Sequence, residues 1–137
     1  MGASDYCEEA ILNALFGKTS AFGTLSSRPT IYVALLTAAP SDTSTGSTIT
    51  EANYTGYARV ATAPTDWNAW VNDKITNANP ITFPEATGGS STITHFALVD
   101  ASSGGNVLFY GALPVQMTIS TGITPMFKAG DLSVTAD

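Results

Sequence analysis

Residues 30–37 read TIYVALLT, and this stretch decides the fold. Six apolar or aromatic residues, Ile31 to Leu36, stand in a row between two threonines. The β-branched and aromatic members and the short length argue for a strand. The absence of alternation argues that both of its faces are covered. Working outward, Pro40 to Thr50 (PSDTSTGSTIT) is a hydroxyl-rich surface loop, and Tyr57 to Thr62 (YARVAT) is a second strand. The segment from Pro64 to Pro80 is irregular, broken by Pro64, Asn68, Asn72, Asn77 and Asn79, and it holds Trp67 and Trp70. Ile81 to Phe83 is a short strand halted by Pro84. Gly88 and Gly89 precede a strand from about Thr92 to Val99, and the turn SSGGN (102–106) returns the chain through Val107 to Leu113 as a hairpin. Val115 to Ser120 alternates and reads as half-buried, Ile123 to Phe127 carries no clear signal, and Leu132 to Thr135 closes the chain as a last strand.

On the other side of residue 30, the segment 18–29 contains Gly23, Ser26, Ser27 and Pro29 and reads as a connection. Before it, residues 5–16 form the one good helix pattern. Asp5 is placed to cap it, Glu8 follows three positions later, and Gly17 is a natural stop. Cys7, Ile11, Ala14 and Leu15 fall on one face, with Leu12 and Phe16 beside them. So short and apolar a helix needs a surface to pack on, in its own domain or on a neighbouring subunit. One helix followed by seven or eight short strands, with no alternation of helix and strand, disfavours a doubly wound fold. The expected class is mainly β: an antiparallel β-sandwich, jelly-roll-like, or a small barrel, with one N-terminal α-helix. Residues 1–137 are expected to form a single domain, with 1–29 as helix and connection and 30–137 as the sandwich.

Length and composition bound the function. A chain of 137 residues is one domain's worth, and folding at this size hides roughly 68–70% of the surface of the open chain. Charged residues make up 12%, against about 25% in ordinary domains. Twenty threonines and thirteen serines take their place, so hydroxyls wet the surface. Five basic against eleven acidic residues give a net charge of −6, which excludes a free-standing nucleic-acid binder and disfavours anionic membranes. A single cysteine, Cys7, excludes an internal disulfide framework and a cysteine-rich zinc module. No apolar run reaches 18 residues, so no membrane span is expected. The first residues are acidic (Asp5, Glu8, Glu9) where a secretory leader is basic, so the expectation is synthesis in a cytoplasm without an N-terminal export signal.

The inventory for catalysis is thin, and the expectation is that the chain is not an enzyme. His95 is the single histidine and sits in a strand pattern with Ile93, Ala97 and Val99. Asp100 and many serines could complete a triad on paper, but no Gly-x-Ser-x-Gly elbow is present. One His and one Cys far apart make no zinc set, no calcium-hand loop occurs, and neither glycine pair opens a helix to cradle phosphate. Neither a metal nor another cofactor is expected. Glu8 and Glu9 are adjacent on a helix and point apart, unlike an acid–base couple. Asn53-Tyr54-Thr55 matches the N-glycosylation pattern, which has no use in a protein that is not exported. What remains is surface. Trp67 and Trp70 lie three apart in a polar loop, and Tyr54 and Tyr57 share that spacing. Aromatics on loops plug the domain's own core or anchor an interface, and stacked tryptophans can also bind sugar.

The strings ILNALFG (11–17), TIYVALLTAAPSD (30–42), GYARVA (56–61), ITFPEATG (81–88), THFALVDASSGGNVLFYGAL (94–113) and AGDLSVTAD (129–137) resemble a family of small virion proteins of tailed bacteriophages. Such proteins are often labelled phage tail fibre proteins and are also placed on capsids as decoration or cement subunits. The resemblance spans most of the chain in order, and Asp66–Ile75 looks like an insertion relative to shorter members. It implies a structural protein made in the host cytoplasm and carried on the virion, with the outer capsid surface as the leading location. Its partners would be the phage major capsid protein and further copies of itself, with a homotrimer at three-fold positions expected. Nucleic acid and membrane are not expected partners. The residues expected to dock are Ile11, Leu12, Leu15 and Phe16 of the helix and Trp67 and Trp70 of the loop. A tail or tail-fibre accessory protein that binds host glycan through the two tryptophans is the alternative.

Overall fold

The computed structural model describes residues 3–135. In chain order the elements are α1 (Asp5–Leu15), β1 (Ile31–Leu36), β2 (Val60–Thr62), a 3-10 turn (Pro64–Asp66), β3 (Ile75–Thr76), β4 (Ile81–Thr82), β5 (Ser90–Val99), β6 (Val107–Ser120), β7 (Met126–Phe127) and β8 (Ser133–Val134). The fold is mainly β, its sheets are antiparallel, and its single helix lies near the N-terminus, as the sequence leads one to expect. The strands group as one four-stranded sheet, β2-β1-β5-β6, and two ribbons, β3-β8 and β4-β7. The chain divides into two compact units. The first comprises Met1–Pro29, Ala63–Ile81 and Phe127–Asp137, and the second Thr30–Thr62 and Thr82–Met126.

The second unit is built around β1. Val33, Ala34, Leu35 and Leu36 are all shut off from solvent, so the unbroken apolar run is the mark of a central strand covered on both faces. Each fully buried leucine contributes about 1.5–3 kcal/mol of transfer free energy. Leu35 sits opposite Phe96 of β5, and Ala34 opposite Ala97. Ala34, Leu36, Ala97 and Val99 form one buried cluster, closed by Tyr32, Ile49 and Val107. β5 changes character along its length: Ser90 to Ile93 alternate between exposed and buried, while Phe96 to Val99 are buried throughout. Its partner β6 is one strand where the sequence suggests two, divided at Pro114. Ile93 pairs with Met117 and His95 with Ala112, so Thr94 alone faces the four residues Leu113 to Gln116. Pro114 lies in this bulge on the last strand of the sheet, where the missing N–H breaks no ladder bond. Gly111 leaves room for its neighbour: a Cβ there would stand 3.0 Å from the Phe96 ring.

The first unit packs around aromatic rings. Ser4 caps α1, its hydroxyl accepting from the Cys7 N–H at 3.3 Å, so the cap is one residue before the Asp5 that the sequence points to. The helix stops at Gly17, whose φ of +72° is left-handed. The Gly17 N–H donates to Ala14 O and the Lys18 N–H to Asn13 O, the paired bonds of a Schellman ending. Leu12 and Phe16 are fully buried, and the Trp67 ring meets Phe16 edge-on, with centroids 4.8 Å apart at 71°. The segment that looks irregular in sequence is in fact a hairpin. Trp67 bridges to Asn77, and Val71 and Lys74 exchange both backbone hydrogen bonds. Asn72 and Asp73 between them both have positive φ, 52° and 66°, which makes a two-residue turn of the kind that matches strand twist. The returning strand β3 then pairs with β8, Ile75 opposite Val134.

Candidate functional site

The most elaborate polar arrangement is in the second unit, around Arg59. Only 3% of its side chain is exposed, yet each of its five N–H groups has an acceptor. Nε and one Nη2 hydrogen donate to the two oxygens of Glu51, both at 2.9 Å, a bidentate pair. Nη1 donates to the carbonyls of Ala101 (2.8 Å) and Gly104 (2.9 Å), and Nη2 also to that of Gly46 (2.8 Å). The Tyr57 hydroxyl donates to Glu51 Oε1 at 2.7 Å and accepts from the Leu35 N–H of β1 at 3.2 Å. Glu51 hydrogen bonding strengthens the proton affinity of the Arg59 guanidinium, and burial, aided by Glu51, pushes the Tyr57 hydroxyl far above its ordinary range. Gly46 is locked in place: its N–H donates to Gly105 O at 2.9 Å, and a Cβ on it would stand 1.8 Å from Gly104 O.

Arg59, Glu51, Tyr57, Gly46 and Gly104, with Ser47, Ala58, Ser102 and Ser103, line a cleft of about 530 Å3. The guanidinium is the natural anion receptor in it, but the fold consumes all five of its donors. The arrangement therefore ties the 41–50 loop and the 100–106 turn to the sheet. At the edge of the same turn the Asp100 carboxylate accepts from the Asn106 backbone (2.7 Å) and side-chain amide (3.0 Å), bonds that hold it below the usual carboxylate range. The His95 ring is half-buried, with Nδ1 on the Thr94 hydroxyl at 2.8 Å. His95 and Asp100 thus each have a local partner. Among the described residues no group of three His, Cys, Asp or Glu side chains is placed to hold a metal ion.

The first unit carries a quieter counterpart. Asn77 is completely buried, and its side-chain amide donates to Asn79 O and Lys128 O, both at 2.9 Å, while its oxygen accepts from the Leu132 N–H at 2.9 Å. One amide thereby joins the 67–77 hairpin to the C-terminal segment. Neither Arg59 nor Asn77 stands out in the sequence as a functional residue. In so poorly charged a chain, a glutamate and an arginine flanking Tyr57 were the available signal for the former.

The residues expected to dock divide by exposure. Leu12, Phe16 and Trp67 are buried in the first unit and present no surface. Ile11 is exposed, and Leu15 and Trp70 are half-buried. The stripe facing outward is thus Cys7, Ile11 and Leu15, while Glu8, Leu12 and Phe16 turn inward. Trp70 is held by its backbone N–H, which donates to Asn13 Oδ1 at 2.9 Å, and its indole nitrogen is buried with no hydrogen-bond partner among the described residues. With Trp67 buried, the two tryptophans do not offer a pair of ring faces. The sequence reading missed Tyr6 and Phe22, which are exposed and meet edge-on with centroids 5.9 Å apart, and Leu25 beyond them. Ser20 fastens this connection to α1 by donating to Ala10 O at 2.7 Å.

Comparison with protein families gives one match over nearly the whole chain. The family model for the podophage GP4 fibre I protein gp80 matches residues 2–135. The chain belongs to this family. It is accordingly a tailed-phage structural protein, and the family likeness visible in the sequence strings is confirmed. No curated protein matches the chain significantly. Among the described residues of this gp80-family chain, no helix is long and apolar enough to cross a membrane.

Proposed function

We propose that this chain is an adhesive structural subunit of the phage exterior, a decoration or cement protein that binds the outer surface of the major capsid protein lattice and stiffens the head without a reaction of its own. The observation that carries the reading is the set of large apolar side chains left in solvent on α1 and the connection after it: Tyr6, Ile11, Phe22 and Leu25. Tyr6 is 63% exposed and Phe22 56%, in a unit where Phe16, Trp67 and Phe127 are buried and Trp70 is half-buried. Exposed aromatics of this kind anchor interfaces. Repetition of one modest interface over a lattice makes the sum strong. The fixed loops around Arg59 suit a rigid brick, since little ordering entropy remains to be lost on docking.

A second reading places the same subunit at the tail, and the description of its family as a fibre protein favours it. Electron microscopy of the particle, with copy number from quantitative mass spectrometry, separates the two. Density on the head and hundreds of copies are expected. Density confined to the tail with a few copies to some tens would overturn the capsid placement.

A further inference from the structure

β6 ends the four-stranded sheet with fourteen residues, and none of the chain's sixteen charged residues (five basic and eleven acidic) falls in it. A long edge is a template for strand addition, and natural proteins guard such edges with charges, bulges or a covering loop. Here the 41–50 loop supplies what the strand lacks. It leaves β1 after Leu36 and returns beside it: the Thr37 N–H donates to Thr50 O at 3.0 Å, and Leu36 bridges to Glu51. Between these ends Ile49 packs on the cluster of Ala34, Leu36, Ala97 and Val99, and the loop reaches β6. Thr45 bridges to Asn106 in antiparallel fashion, and the Gly46 N–H donates to Gly105 O at 2.9 Å, so loop backbone occupies the place just before the strand's first residue. Asp42, the one charged residue of the loop, accepts through its carboxylate from the Tyr110 hydroxyl, in the middle of the segment from Val107 to Ala112. Pro114 and the bulge close off the far end of that segment.

The loop is also built to keep that carboxylate in place. The Ser41 N–H donates to Ser44 Oγ at 2.9 Å, bracketing Asp42, and the Thr45 N–H donates to Thr48 Oγ1 at 2.8 Å. Arg59 Nη2 holds Gly46 O at 2.8 Å. We propose that the 41–50 loop is an edge guard: by tethering Asp42 to Tyr110 it lends β6 a negative charge that keeps the 107–112 segments of two copies from pairing strand to strand. Pairing of this segment with itself is antiparallel about a two-fold axis, and Tyr110 lies next to the middle of the segment. Each copy would therefore bring its own Asp42 to the same contact, and like charges set opposite one another across paired strands are destabilising. The guard serves wherever many copies of one chain are crowded together. It holds for either placement of the protein on the particle, and its failure would leave that placement untouched.

The test is Asp42→Asn in the full-length protein, followed by light scattering and by amide hydrogen exchange over a concentration series. Asparagine keeps an acceptor for Tyr110 and removes only the charge. The expected result is a mass that rises with concentration beyond that of wild type, with amides in 107–112 exchanging at least tenfold more slowly at high concentration. The circular dichroism spectrum of the dilute variant is expected to be unchanged. Tyr110→Phe, which frees the carboxylate from the strand, is expected to act in the same direction to a smaller extent. Asp73→Asn removes the same charge from an exposed turn of the first unit and is expected to match wild type, whose 107–112 amides exchange at a rate independent of concentration. Asp42→Asn protein that behaves as wild type would overturn the proposal. So would equal association of Asp73→Asn, which would trace the effect to net charge, or wild-type protein whose 107–112 amides gain protection with concentration.

Discussion

In the second unit two loops and a glutamate converge on a charge, Arg59. In the first, a hairpin and the C-terminal segment converge on a neutral amide, Asn77. Both side chains are buried and both use all their donors, Asn77 on backbone carbonyls alone and Arg59 on three carbonyls and the Glu51 carboxylate. The difference lies in what each needs. Arg59, with 3% of its side chain exposed, requires a carboxylate beside its charge, and Glu51 on the cleft wall supplies it in bidentate form. Asn77 requires only geometry. A chain with few ions thus spends one buried ion pair where several loops must meet, and an amide where two segments suffice. Each polar side chain does for loops what ladder hydrogen bonds do for strands.

The largest effect is expected from Arg59→Ala. It strands Glu51 and three carbonyls, and the loss is about 4 kcal/mol, in the range for breaking one side of a buried pair. Urea denaturation of purified protein checks it. Arg59→Lys should recover little, because an ammonium has three donors where five are in use. Next is Asn77→Ala, at about 3 kcal/mol, since two carbonyls and one N–H lose their partner in a fully buried place. If Asn77→Ala proved the costlier, the comparison would be inverted, and the charge in the second unit would be dispensable. Third is Gly46→Ala, about 2 kcal/mol by overpacking, because the new methyl collides with Gly104 O and the loop must lift from the turn. Thermal melts would read it, and exchange of amides in 41–50 should accelerate.

The smallest effect concerns Asp100, whose carboxylate is held low by the Asn106 backbone bond first and its side-chain amide second. A depressed carboxylate stabilises the fold above its unfolded value and loses that contribution as pH falls through the folded one. Wild type should therefore exceed Asp100→Asn in stability at neutral pH by under about 1 kcal/mol, given the solvent screening of this turn. The gap should close once acid protonates Asp100. A gap that persisted in acid would mean that the turn is held by something other than these charge-assisted bonds.

Much of the β architecture was legible because it rests on local patterns. The unbroken run of β1, the hairpin around SSGGN and the stop at Gly17 each announce themselves in a few residues. Pro114 misled, because a proline divides a central strand but not a bulged edge, and edge position is a property of the whole sheet. The Asn72-Asp73 turn was hidden because its first strand carries two tryptophans and asparagines instead of alternating β-branched residues. Asn77 looked like a breaker for the same reason that it works as a staple: its amide competes with the backbone for hydrogen bonds. On α1, periodicity identified an apolar face but not its rotation. Leu12 and Phe16 turned inward and left Ile11 outside, a choice made by the Trp67 ring far along the chain. The exposed pair Tyr6 and Phe22 bears no spacing signal, since its members meet only through the fold.

As the proposed adhesive subunit, this protein acts by occupying sites on the particle and not by turnover. Particles assembled without it should survive heating less well, and purified protein added back should restore their survival in proportion to the copies bound, saturating at a fixed number per particle. Restoration by trace amounts far below that number would contradict the account, as would particles whose heat resistance is indifferent to the protein.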